Sequence, residues 1–125
     1  MIDHSKLARL TLELDLKRAE ARGVSDLFHV AADLASRSAA EIAGSPFLDM
    51  TAAELAAVQI DADLARSTYG IAECDRRTQR DTARSYRAAK DRADELRRRV
   101  AVLHDELAPL AHLVERLTKY AAGSA

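Results

Sequence analysis

The chain has 125 residues, a length that favours one domain, and Ala, Leu, Arg, Glu and Asp dominate it, with two prolines, four glycines and no tryptophan. That is the composition of long helices and it excludes a sandwich or a barrel. A formal net charge of −1 excludes a polycation or a polyanion, and the single cysteine, Cys74, excludes an intrachain disulfide.

The first helix is expected from about Ser5 to Arg22, with Gly23 placed as a left-handed cap. Leu10 to Leu16 alternates apolar and polar, which is the strand period. Leu, Glu and Lys favour helix, β-branched residues are nearly absent there, and no second strand is available to pair, so the helical reading stands. As a helix it carries Leu7, Leu10 and Leu14 on one face and Leu12, Leu16 and Ala19 on roughly the opposite one. A helix with two apolar faces is sandwiched between neighbours, and this chain need not supply both.

A second helix begins at the N-cap Ser25, with Asp26 at the positive end of the helix dipole. Leu27, Val30, Ala31, Leu34, Ala35, Ser38 and Ile42 form one broad stripe, and Gly44 followed by Ser45-Pro46 ends it. Phe47, Leu48 and Met50 in the connection predict a loop folded onto the core. A helix-turn-helix reading of Ala19 to Ser25 fails, because Arg22 and His29 stand where that motif buries apolar residues.

Thr51-Ala52-Ala53-Glu54 is a capping box, and Met50 and Leu55 are spaced for a hydrophobic staple. The stripe Leu55, Val58, Ala62, Ala65, Tyr69, Ala72 follows. Gly70 either caps that helix or lies inside one long helix; the continuous reading is preferred, with looser packing between Ala72 and Tyr86. From Tyr86 the spacing becomes strict. Tyr86, Ala89, Ala93, Leu96, Val100, Leu103, Leu107, Leu110, Val114, Leu117 and Ala121 repeat at alternating three and four, a heptad pattern. Pro109 stands off the seam and predicts a kink near Glu106, or a restart as a hairpin arm; the unbroken phase favours the kink.

The expected fold is all-α: a helical hairpin over 1–50, packed on a long helix of coiled-coil character over 51–121, with a disordered tail at 122–125. Two N-terminal helices of ~28 Å each fall short of a helix of ~84 Å from Ala52 to Leu107. The association seam Ala93, Leu96, Val100, Leu103, Leu107, Leu110, Val114, Leu117 would then be partly bare, and contiguous apolar stripes are seldom left in water. A second copy of the chain is the first candidate for the cover, ahead of a different helical protein.

No constellation points to catalysis, a cofactor or a metal. His29 with Asp33 and His112 with Glu115 have helical ligand spacing, but each pair lacks a third ligand and falls on a polar face. Cys74 lies between Glu73 and Asp75, which oppose thiolate formation. The glycines are isolated, so no phosphate loop exists, and no small-molecule substrate is implied. Charge is uneven. Residues 1–63 carry 6 Lys and Arg against 11 Asp and Glu, whereas residues 76–99 carry 10 against 4. On the heptad count Arg77, Arg80, Arg84, Arg87, Lys90, Arg97 and Arg98 make a ladder opposite the seam, and the segment from Arg76 to Lys90 is largely unpaired along the helix. Such a ladder suits a phosphate backbone, an acidic partner, or this chain's own acidic residues such as Asp15, Glu20 or Glu41.

Met1 to Lys6 has no apolar run of the signal-peptide kind, and no stretch reaches the apolar length of a membrane span. The expected setting is the cytoplasm or an assembly formed there. The expected function is non-enzymatic: a structural component, scaffold or assembly factor, of a virion or other large complex, acting by helix–helix association. A helical nucleic-acid binder is the alternative.

Overall fold

The computed structural model describes residues 4–58 and 70–123, and the backbone alone for 70–75. Its elements in order are α1 (His4–Glu41), α2 (Ala52–Ala57) and α3 (Gly70–Gly123), and no strand occurs among the described residues. The protein is all-α, with a long C-terminal helix packed against an N-terminal one.

α1 is one helix where two were expected. It runs through Gly23 without interruption, and among the described residues Gly44 alone takes a left-handed conformation, at φ 84°. Glycine inside a helix costs about 1 kcal/mol relative to alanine. The reason the helix continues lies in what it buries. Leu14, Ala21, Val24, Ala31, Ala35, Ser38 and Ile42 are buried, and Leu7, Leu10, Lys17 and Phe28 are half-buried. These positions follow one another at strict three-and-four spacing from Leu7 to Ile42. A break at Gly23 would take every later residue off that line, and burying Val24 alone is worth roughly 1.5–2 kcal/mol.

α1 stops where it was expected to stop. Gly44 turns left-handed, and the amide of Ser45 donates to the carbonyl of Ile42 at 2.9 Å. Two further turns, Leu48 N–H to Ser45 C=O and Met50 N–H to Phe47 C=O, both at 3.2 Å, carry the chain to Thr51.

α2 is short. Val58 is extended at φ −64°, ψ 119°, so the helix from Thr51 ends there and is not continuous with α3. The stripe from Ala62 to Tyr69 lies outside the described residues, as do the side chains of Ala72 and Cys74. α3 passes through Pro109 as uninterrupted helix, which removes the hairpin arm. Proline leaves the carbonyl of residue 105 without its helical donor. Pro109 and Asp105 are both exposed, so water can satisfy that group. α3 also includes Ala122 and Gly123, two residues of the stretch read as a tail.

The chain divides into two compact units. One takes α1 up to Phe28 and α3 from Glu95 onward, two helices with Leu14, Ala21 and Val24 buried on the first and Leu96, Leu103 and Val114 on the second. The other is His29–Asp94, whose core joins Ile42, Leu55 and Ala83, with Phe47, Leu48 and Met50 packed against them. The apolar loop is thus folded onto the core, as its composition predicted.

Candidate association surfaces

The heptad seam of α3 faces inward. Ala93, Leu96, Leu103 and Val114 are buried, and Val100, Leu107, Leu110 and Leu117 are half-buried. Much of the cover sought from a second molecule therefore comes from α1. The length argument failed because it set the N-terminal helices against one helix from Ala52 to Leu107, whereas α2 ends at Val58 and the seam from Leu96 to Leu117 spans only ~32 Å, less than the ~57 Å of α1.

One seam position of α1 is charged. Lys17 donates from Nζ to Glu106 Oε2 at 2.6 Å, with 29% of its side chain exposed. The hydrogen bond to Glu106 holds the Lys17 amine above the usual lysine range. Beside it an open groove of ≈ 430 Å³ is lined by Lys17, Arg98 and Arg99, by Glu20, Glu95 and Glu106, and by Val102 and Leu103. Three cations balance three carboxylates, so the groove presents no net charge that would select an ion.

The opposite face of α1 is apolar and uncovered. Leu12, Leu16, Leu27, Val30 and Leu34 are 45 to 68% exposed, and Ala19 is exposed with them. The two apolar faces expected near the N-terminus are both present, one packed and one bare. Further along, the broad stripe of the expected second helix divides. Its small residues Ala31, Ala35 and Ser38 are buried together with Ile42 at its end, and Leu27, Val30 and Leu34 point to solvent. Small residues let helices approach closely, so the packed face went to them.

The arginine ladder does not point outward throughout. Arg84 donates to the carbonyl of Leu55 at 3.2 Å, an oxygen that also accepts from Val58 N–H at 3.3 Å. A cation there sits at the negative end of α2. Arg87 donates from Nε to the carbonyl of Met50 at 3.2 Å and stands 5.5 Å from the Tyr86 ring. The two arginines grip the main chain just before α2 and within it. Arg80 pairs with Asp81 at 3.2 Å and Lys90 with Asp94 at 3.7 Å. Arg76 is exposed, Arg77 half-buried. The heptad count placed Arg84 and Arg87 opposite the seam correctly for a helix packed on one side. Around Ala83, which is fully buried, α3 is packed on a second side, and there the ladder turns inward.

The amide half of the capping box forms, and the Glu54 carboxylate reaches back to the Thr51 hydroxyl. Thr51 Oγ1 accepts from Glu54 N–H at 3.1 Å and donates to Glu54 Oε1 at 3.1 Å, while Leu55, 1% exposed, fills the space beside Met50. The carboxylates once paired with histidines on spacing have lysine or arginine partners. Asp33 meets Arg37 at 3.0 Å and Glu115 meets Lys119 at 3.1 Å. The Lys119 hydrogen bond holds Glu115 below the usual carboxylate range. No group of three or more metal-ligating side chains stands together among the described residues, and none of their helices is long and apolar enough to cross a membrane. No protein-family model matches the chain, and neither a curated protein nor a solved structure matches it.

Proposed function

We propose that the chain is a non-enzymatic helical protein that works by helix–helix association, as a structural component, scaffold or assembly factor. One observation carries this reading. α1 is packed on one face and exposes a second apolar line of large side chains. Scattered exposed leucines are ordinary on a protein surface; a line of them at helical spacing along one element marks an interaction site. Self-association is the first form of the reading. The basic ladder gives a nucleic-acid role less support, since Arg84 and Arg87 are engaged with main-chain carbonyls and Arg80 and Lys90 with carboxylates.

Light scattering across a wide concentration range tests it. The expected mass rises above the 13.7 kDa of one chain as concentration increases. A single-chain mass throughout overturns the reading, and tight, salt-sensitive binding to duplex DNA or RNA by that monomer would put the ladder in its place.

A further inference from the structure

The exposed line on α1 is symmetric about one residue. Leu12 and Leu34 lie eleven positions to either side of Gly23, Leu16 and Val30 seven, Ala19 and Leu27 four. All six are exposed, as is Gly23 between them. Nothing within the chain needs a glycine there: a Cβ added to Gly23 would meet no atom within 4 Å, and its backbone is ordinary helix. Glycine costs a helix stability, and it is found in helices where another backbone comes close.

Resting on the association reading above, we infer that α1 docks antiparallel on α1 of a second copy of this chain, about a two-fold axis at Gly23. An interface of this kind sets one patch against itself, so contact positions must fall in pairs equidistant from the axis. The line on α1 meets that condition. Leu12 then lies against Leu34 of the second copy, Leu16 against its Val30 and Ala19 against its Leu27, while the two glycines meet at the closest approach. Sizes also fit, because each Ala19 receives a Leu27. A parallel pairing would stack Ala19 on Ala19 beside Gly23 on Gly23 and set Leu27 against Leu27.

Charge agrees near the axis. Arg22 and Asp26 flank the line on the same side, one residue before and three after Gly23. The two-fold brings Arg22 of each copy within about 3 Å along the helix axis of Asp26 of the other, at 1.5 Å per residue. Farther out Asp15 approaches Asp33 of the second copy, whose charge is met by Arg37 at 3.0 Å.

Disulfide trapping tests the geometry, with Cys74 replaced by Ser so that only introduced thiols react. Gly23→Cys is expected to cross-link to itself under mild oxidation, because a disulfide needs Cα atoms within about 7 Å. Leu12→Cys alone is expected to stay unlinked and to link when mixed with Leu34→Cys protein. Arg22→Asp and Asp26→Arg should each weaken the dimer several-fold, and the double swap should restore it. Far-UV circular dichroism on each variant separates a lost contact from a lost fold, and the charge swap reads the same register without cysteines. Self-linking of Leu12→Cys would overturn the antiparallel arrangement in favour of a parallel one. An oligomer in which neither Gly23→Cys nor the Leu12→Cys and Leu34→Cys mixture links would place association on another face, sinking this inference and leaving the association reading intact. A single-chain mass at every concentration would sink both.

Discussion

Leu14 and Leu16 stand two residues apart on α1, 4% and 62% exposed, and shortening each to alanine separates folding from association. Leu14→Ala removes a buried side chain from the helix pair, a change that costs about 2–5 kcal/mol by lost burial and the cavity left behind. For a chain of this length roughly 3–5 °C of melting temperature goes with each kcal/mol, so the expected fall is about 6–25 °C. Leu16 has only about a third of its surface to lose, and a fully buried leucine is worth roughly 2–3 kcal/mol, so its replacement costs under about 1 kcal/mol of chain stability. Thermal melts followed at 222 nm, at the lowest workable concentration so that association adds little, give the comparison. Light scattering of the same proteins should show the reverse ranking, with Leu16→Ala the weaker associator. Equal losses of melting temperature would mean that the assignment of the two faces of α1 is wrong.

The Lys17–Glu106 pair makes an alkaline prediction. Its lysine is held above the ordinary value, so the pair stabilises the fold fully below the unfolded lysine pKa and is lost as pH rises through the folded one. Melting temperature should therefore fall more steeply above pH 10 in the wild type than in Lys17→Met, and parallel curves would show that the pair carries no linkage. Arg84→Gln with Arg87→Gln should leave helix content nearly intact and expose residues 47–58 to hydrogen exchange, at a cost on the order of 1–3 kcal/mol; unchanged exchange in that segment would show that the two arginines do not hold it. Leu103, 7% exposed, should not tolerate aspartate, whose burial costs several kcal/mol, whereas Arg98→Asp in the open groove should shift urea midpoints little. Comparable midpoints for the two would mean the α3 seam is out of phase.

What could be read in the sequence was what is decided over one or two helical turns. The amide cap of Thr51 on Glu54, Gly44 before Ser45-Pro46, and the helix from Tyr86 onward each depend on residues three or four apart, and each formed where expected. Gly23 was misjudged because a glycine resembles a stop when only its neighbours are weighed. The line from Leu7 to Ile42 that carries the helix through it includes Lys17, which a count of apolar residues passes over. The same weighting assigned Leu27, Val30 and Leu34 to the core, since they are more hydrophobic than the alanines that occupy it. Arg84 and Arg87 were legible as a basic stretch, but their acceptors are backbone oxygens 29 and 37 residues away in sequence, and no side-chain pattern announces a carbonyl. The outer face of α1 was visible in part, at Leu12, Leu16 and Ala19, and its extension past Gly23 depended on seeing the helix as continuous.

The grip of Arg84 and Arg87 on the carbonyls of Leu55 and Met50 sets unequal tolerances for change in that segment. Main-chain oxygens are the same whatever side chain they accompany, so exchanging one exposed residue for another at Ala52, Ala53, Ala56 or Ala57 leaves both acceptors in place. Adding or deleting one residue between Met50 and Leu55 does not. The two arginines are spaced by three residues on a rigid helix and act as a fixed gauge, and an inserted residue rotates the second acceptor by about 100° around α2. Among descendants of this chain, length between these two residues is expected to be held more strictly than the identity of Ala52 and Ala53 lying between them.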